Sequence, residues 1–305
     1  MLRDRLFSAS ILIAGLLGLI WLDHRYPLGG AAGLWLLAPL LVFVIGTASE
    51  LSRLLLDSGR AHDRTAVLLA TAFLPLAASV PNVWEACGTT YPSDCGVGRS
   101  GWIVVGMFAA LFWILIRQMS LHDGGQPGRS LDRILTGVFV ACYAGLPLSV
   151  LVLIRDLAEP GWGLAVLIST ITVTKSADAG AYFAGRAFGR KKLVPRLSPG
   201  KTWAGAVGGI VVAVAVSYLC FFQLVPALAG SNSAPPIWGP IAFGMVCAIF
   251  GMVGDLAESL VKRETGAKDS GRTLPGLGGV WDVTDSLIGT AVPAWVLLSA
   301  GAAGL

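Results

Sequence analysis

Apolar residues come in long runs separated by short polar segments, and the runs have the roughly 17–25 residues that a bilayer-spanning helix needs. Nine of them lie near residues 6–22, 30–48, 65–80, 101–117, 134–154, 161–183, 203–225, 236–254 and 286–304. This pattern predicts an all-α polytopic membrane protein with about nine transmembrane helices. Pro75 interrupts the third run, and the sixth carries Lys175 and Asp178, so it must face protein or water rather than lipid. Behind the second run, residues 49–62 mix leucines with charges. That stretch reads either as a helix extension or as an amphipathic helix lying in the interface. Internal repeats and low-complexity tracts are lacking, which gives an inverted-repeat transporter no support.

Composition sharpens the class. Of the 305 residues 55% are hydrophobic and 13% charged, against about 25% charged in soluble domains. The charged N-terminus followed by an apolar run is not followed by a small-x-small cleavage site, so it reads as an uncleaved first span. The formal net charge of +4 is modest, and no nucleic-acid partner is expected. Its placement says more than its size. With the N-terminus in the cytoplasm, only Arg25, Arg99 and Arg155 of the 22 Lys and Arg fall in external loops and Lys175 within a span; the rest are cytoplasmic. The positive-inside rule expects such a bias, and it implies a polar site facing the cytoplasm. His24, His62 and His122 are scattered, and no Cys or His cluster has zinc-ligand spacing. Cys87 and Cys95 share one external loop, where they could pair or remain free thiols.

Two stretches carry candidate chemistry. Residues 254–289 place Asp255, Ser259, Lys262, Arg263, Lys268, Asp269, Asp282 and Asp285 between two apolar runs, around a glycine turn containing Gly278 and Gly279. Asp255, Ser259 and Lys262 share a helical face, as do Asp282 and Asp285 if the last helix opens there. The turn would fold two acidic faces onto one cation, bringing Asp255 and Asp282 together. Against this, charged loops between membrane helices are ordinarily just solvated. The second stretch, 174–209, sets Lys175, Asp178, Tyr182 and Arg186 in a polar stripe. It is followed by the basic Arg190, Lys191 and Lys192, and by Ser198-Pro-Gly-Lys201-Thr202. Lys175 could simply pair with Asp178, and the basic cluster could meet anionic lipid headgroups. The second motif is not a nucleotide P-loop, because Pro195 stands where the first glycine belongs. Ser198, Gly200, Lys201 and Thr202 are expected at a helix start, where free N–H groups favour phosphate. Carboxylates for a hard cation, with Lys and Arg for phosphate oxygens, are the equipment of Mg²⁺-dependent phosphoryl or nucleotidyl transfer.

The run from Ser259 to Asp285 resembles the phosphatidate cytidylyltransferase (CDP-diacylglycerol synthase) signature, S-x2-K-R-x4-K-D-x5-P-G-H-G-G-x2-D-R-x-D. Asp178, Ala181, Tyr182, Gly185, Arg186, Phe188 and Gly189, then Ser198, Pro199, Lys201, Thr202 and Gly205, are also similar to that family. The likeness covers roughly the C-terminal half. Leu277 stands in place of the signature's His and Val283 in place of its Arg.

The resemblance implies CTP and phosphatidic acid as substrates, giving CDP-diacylglycerol and pyrophosphate. It implies Mg²⁺ or Mn²⁺ as cofactor, with room for a second cation. Metal would go to Asp255, Asp282 and Asp285. Lys201, Ser259, Lys262, Arg263, Lys268 and Asp269 would complete the catalytic group, with Asp178, Tyr182, Arg186, Ser198, Thr202, Gly278 and Gly279 at the substrates. It implies N-terminal membrane helices over 1–133, a catalytic region over 134–305 within one membrane unit, and a bacterial-type inner membrane. A homodimer would be unexceptional for such a bundle. A CTP-dependent polyprenol or phytol kinase, a cation transporter and an impaired homologue remain the alternatives.

Overall fold

A computed structural model describes residues 2–124, 127–230, 235–267, 269–271, 273–274, 276 and 278–304, with side chains from Ser10 onward. Lys268, Leu277 and Pro275 of the signature therefore lie outside the described residues.

The chain is almost wholly helical. In order come α1 (Leu2–Arg25), α2 (Leu34–Asp57), α3 (Arg64–Ala78), α4 (Val80–Ala86), α5 (Trp102–Ser120), α6 (Arg129–Val140) and α7 (Leu146–Arg155). Then follow α8 (Pro160–Phe188), the strands β1 (Lys192–Val194) and β2 (Ser198–Thr202), α9 (Trp203–Leu219), α10 (Val225–Ala229), α11 (Trp238–Glu264) and α12 (Trp281–Ser299). Single π-helical turns, Ala141–Gly145 and Cys220–Leu224, join α6 to α7 and α9 to α10. Each apolar run of the sequence coincides with one of these helices or joined pairs. Among the described residues five helices, counting α6–α7 and α9–α10 each as one, are long and apolar enough to cross a membrane, and six if the bent pair α3–α4 is one span. The chain is thus an integral membrane protein by length and composition.

The structure decides three features of the sequence reading, the first between its two open alternatives and the other two against expectation. First, α2 runs unbroken to Asp57, so 49–57 extends a span and is no separate interfacial helix. Second, Pro75 does not end α3: the helix continues to Ala78 and bends by 57° only at Ser79. The Ser79 hydroxyl donates to the Pro75 carbonyl at 2.8 Å and takes up one acceptor at that break. Third, Ser198–Thr202 is not a helix start but a strand. It pairs antiparallel with β1, Lys192 opposite Thr202 and Val194 opposite Ser198. The helix begins one residue later, and Thr202 caps it by accepting the Gly205 N–H at 3.1 Å.

The residues gather into two units. The first comprises 1–153 and 264–284, the second 154–263 and 285–305. In the first, Ala70, Leu74, Ala110, Ile114 and Ala141 form a buried core that Phe73 and Trp113 flank. In the second, small residues let backbones approach closely, as membrane helices without a hydrophobic drive to pack require. A Cβ on Gly208 would strike Ala184, and one on Gly180 would strike Val212, which sets α9 against α8. Likewise Gly254 faces the Asp285 carbonyl and Gly289 the Phe250 carbonyl, which sets α12 against α11. Outward positions such as Phe108, Val104, Phe183 and Val211 are exposed and apolar, as a lipid-facing surface is.

Candidate functional site

Within the second unit, α8, the β1–β2 hairpin, α9 and α11 enclose a pocket of about 440 Å³. Asp178, Tyr182, Arg186, Lys192, Lys201 and Asp255 line it, with Gly185, Gly189, Gly200 and Gly205 leaving backbone open to a ligand. The hairpin puts Lys201 there. Its Nζ donates to Asp255 Oδ2 at 3.1 Å and to the Met252 carbonyl at 3.2 Å, tying β2 to α11. Among the described residues Asp255 Oδ1 is buried with no hydrogen-bond partner, an arrangement that costs free energy unless something else occupies that oxygen.

Behind the pocket wall Lys175 binds a second polar cluster. Its Nζ lies 2.6 Å from Ser286 Oγ, 3.5 Å from Asp178 Oδ2 and 4.0 Å from Asp285 Oδ1. The Ser286 hydroxyl donates to Asp178 Oδ2 at 3.0 Å, and its N–H to Asp285 Oδ1 at 2.6 Å. Asp255 is within electrostatic reach of both Asp178 and Asp285. Three carboxylates from three helices thus stand near two lysines. Both the pairing of Lys175 with Asp178 and a wider network are therefore present.

Other expected residues fall as follows. Tyr182 and Arg186 are exposed on α8, Arg186 donating to the Tyr182 hydroxyl at 3.3 Å. Lys262 pairs with Glu258 one turn back at 2.7 Å on α11, which also carries Ser259 and Arg263, and in the first unit Asp269 is exposed. Ser198 opens β2 beyond the pocket lining.

The glycine turn and Asp282 belong to the first unit. Leu274 and Gly278 exchange backbone hydrogen bonds at 2.9 and 3.1 Å, and Gly276 and Gly278 have φ of +79° and +96°, which suit glycine. Asp282 Oδ2 accepts the Gly279 N–H at 2.6 Å and the Ser270 hydroxyl at 2.8 Å. So Asp282, expected as a catalytic residue and metal ligand, also shapes the turn before α12. The residue that the sequence reading missed is Glu50 of α2. Its carboxylate accepts from Thr273 Oγ1 at 2.6 Å and from the Val280 and Trp281 N–H groups at 3.0 Å. The available signal was Thr47, Glu50 and Arg53 at i, i+3 and i+6, one polar face of a largely apolar helix.

Among the described residues, no three His, Cys, Asp or Glu side chains are grouped to hold an ion. Mg²⁺ needs no such cage, since it commonly takes one or two carboxylates, waters and substrate phosphates. The partnerless Asp255 Oδ1 beside Asp178 fits that hard-oxygen requirement. Cys87 and Cys95 are free thiols, Cys95 Sγ accepting from the Tyr91 hydroxyl at 3.1 Å.

A helical membrane protein whose pocket joins carboxylates to lysine and arginine is equipped to handle phosphate esters. The chain belongs to the cytidylyltransferase family, whose model matches residues 3–300. It is 43% identical over 193 residues to a phosphatidate cytidylyltransferase of Brucella suis, covering 63% of this chain and 64% of that protein. Similar proteins of the same name occur in Haemophilus influenzae, 42% identical over 135 residues (44% of this chain, 46% of that one), and Mycobacterium bovis, 33% over 208 residues (66% and 63%). The matched stretch thus spans less than two thirds of each relative's own length.

Proposed function

We propose that this protein transfers the cytidylyl group of CTP to phosphatidic acid, giving CDP-diacylglycerol and pyrophosphate. The observation that carries the reading is the pocket that holds Lys201, Arg186 and Lys192 against Asp178 and Asp255, in a chain of this family. A phosphate oxygen of the lipid attacks the α-phosphorus of CTP. One P–O bond forms, the bond between the α- and β-phosphates breaks, and pyrophosphate leaves. The lipid phosphate is already anionic, so no strong general base is needed, and the barrier is charge repulsion. Lys201, Arg186 and Lys192 offset that repulsion from the pocket wall, and Lys262, Arg263 and Lys268 are further candidates. Ser259, Asp269, Ser198, Thr202, Tyr182, Gly278 and Gly279 orient substrate or hold its neighbours.

Asp255, Asp282 and Asp285 are the proposed carboxylates for Mg²⁺ or Mn²⁺, joined by Asp178. The ion, when bound, neutralises charge on the transferring phosphates. The charge bias of the loops supports nine spans with the N-terminus and the site in the cytoplasm of a bacterial inner membrane. A homodimer belongs to the same reading, and light scattering in detergent tests it.

The deciding experiment feeds purified protein CTP labelled in the cytosine, with phosphatidic acid and Mg²⁺. A lipid carrying cytidine, with release of pyrophosphate, is expected. Phosphorylation of an isoprenoid alcohol with release of CDP, or no turnover at all, would overturn the reading.

A further inference from the structure

Glu50 lies on α2, in the half of the chain that carries none of the signature residues. It is 6% exposed, and its partners are more than 200 residues away. Oε1 accepts from Thr273 Oγ1 and the Val280 N–H; Oε2 accepts from the Trp281 N–H, with Ser270 Oγ at 3.3 Å. Trp281 is the first residue of α12. A helix N-terminus presents unpaired N–H groups and partial positive charge, which an anion stabilises. Glu50 is that anion, supplied from another helix.

Two further observations meet at the same carboxylate. A Cβ on Gly271 or on Gly279 would collide with the Glu50 carboxyl. These glycines leave the space that Glu50 fills, so the turn and the acid are shaped to each other. The rest of the same α2 face also grips this segment. Thr47 Oγ1 lies 2.7 Å from Thr284 Oγ1, Arg53 donates to the Ser270 carbonyl at 3.2 Å, and Gly46 packs on Val280. Ser270 then passes the constraint on. Its single hydroxyl proton goes to Asp282 Oδ2 at 2.8 Å, and its longer approach to Glu50 is the weaker arm.

We infer that Glu50 is a positioning residue: it locks Ser270, Thr273, Val280 and Trp281 onto α2 and thereby fixes the orientation of Asp282. Glutamine cannot replace it. Each carboxylate oxygen accepts a main-chain N–H, so either orientation of the amide would turn its NH₂ towards a donor.

The test uses the full chain in detergent or nanodiscs, and its activity arm rests on the cytidylyltransferase reading. Hydrogen exchange does not. In Glu50→Gln the Val280 and Trp281 amides should exchange at least about tenfold faster, with α5 unchanged. CDP-lipid formation should fall about 10–100-fold. The Mg²⁺ concentration for half-maximal rate should rise by about tenfold, a quantity that the fraction of folded enzyme does not move. Glu50→Asp keeps the charge on a shorter arm and should recover at least about threefold of the lost rate. If Glu50→Gln does not insert, Thr273→Val removes one donor and should raise exchange at the same amides by a smaller factor. Unchanged exchange at 280–281 would overturn the brace. Faster exchange with unchanged rate and unchanged Mg²⁺ requirement would overturn its positioning role. A wild-type protein that makes no CDP-lipid would sink the proposed reaction, and the exchange arm would still decide for or against Glu50.

Discussion

Lys201→Met keeps the stem of the side chain and removes its ammonium. Asp255 Oδ2 then loses its 3.1 Å donor while Oδ1 is already buried without one. Breaking a fully buried pair costs about 3–5 kcal/mol, whereas exposed pairs are worth about 0.2–1 kcal/mol. The Lys201 and Asp255 side chains are 23% and 25% exposed, so the expected loss lies between, at about 1.5–3 kcal/mol. Asp255→Asn on the Lys201→Met background removes the stranded charge and should return about 1 kcal/mol or more. The measurement is a double-mutant cycle in reversible unfolding from detergent micelles. A coupling energy below about 0.3 kcal/mol would mean that the two groups do not interact and that the β2–α11 tie is misread. The same samples test the metal. Mg²⁺ at about a hundred times its dissociation constant should stabilise the wild type by about 2.7 kcal/mol, and Asp255→Asn should lose most of that gain. Equal stabilisation of both proteins would remove Asp255 from the ion's ligands.

His62, in the α2–α3 loop, donates through Nδ1 to the Arg60 carbonyl at 2.9 Å and accepts the Ser52 hydroxyl at Nε2, 2.6 Å away. Burial pushes its pKa below the ordinary 6.5, so folding is fully favoured above that value and loses stability as pH falls from it through the lowered one; His62→Asn should flatten that slope in pH-dependent unfolding. Gly254→Val should destabilise by about 1–3 kcal/mol, because the added atoms meet the Asp285 carbonyl where α11 and α12 touch; a change below about 0.5 kcal/mol in thermal unfolding would refute so close an approach. A protease-sensitive tag at residue 1 should be shielded in sealed cells and one after Leu305 accessible, and finding both ends on one side would refute nine spans. Leu277→His, which restores the family residue, should raise turnover or lower the CTP requirement in the CDP-lipid assay; unchanged or lost activity would mean that the His role does not carry over.

Hydrophobic run length fixed where the helices lie, because a backbone in lipid must satisfy its own hydrogen bonds and does so only as a helix. The boundaries set by polar caps were less legible. Ser198–Thr202 carries small polar residues that suit a helix start, but its pairing with Lys192–Val194 made it a strand and moved the start to Trp203. Pro75 looked like a break, yet the backbone absorbed it and bent at Ser79.

The site divides the same way. Spacing on one helix made Asp178 and Arg186, or Asp255 and Lys262, readable as members of one face, since helical periodicity is local. That Lys201 reaches Asp255, and that Lys175 gathers Ser286 and Asp285 beside its helical neighbour Asp178, depends on side chains more than 50 residues apart. Glu50 is the clearest case. Its spacing with Thr47 and Arg53 marks a polar face on α2 but names no partner, and its meaning came only when tertiary packing brought the N-terminus of α12 to it. Hydrophobic pattern reports the solvent around each segment, while the partners of a buried charge are set by which helices meet.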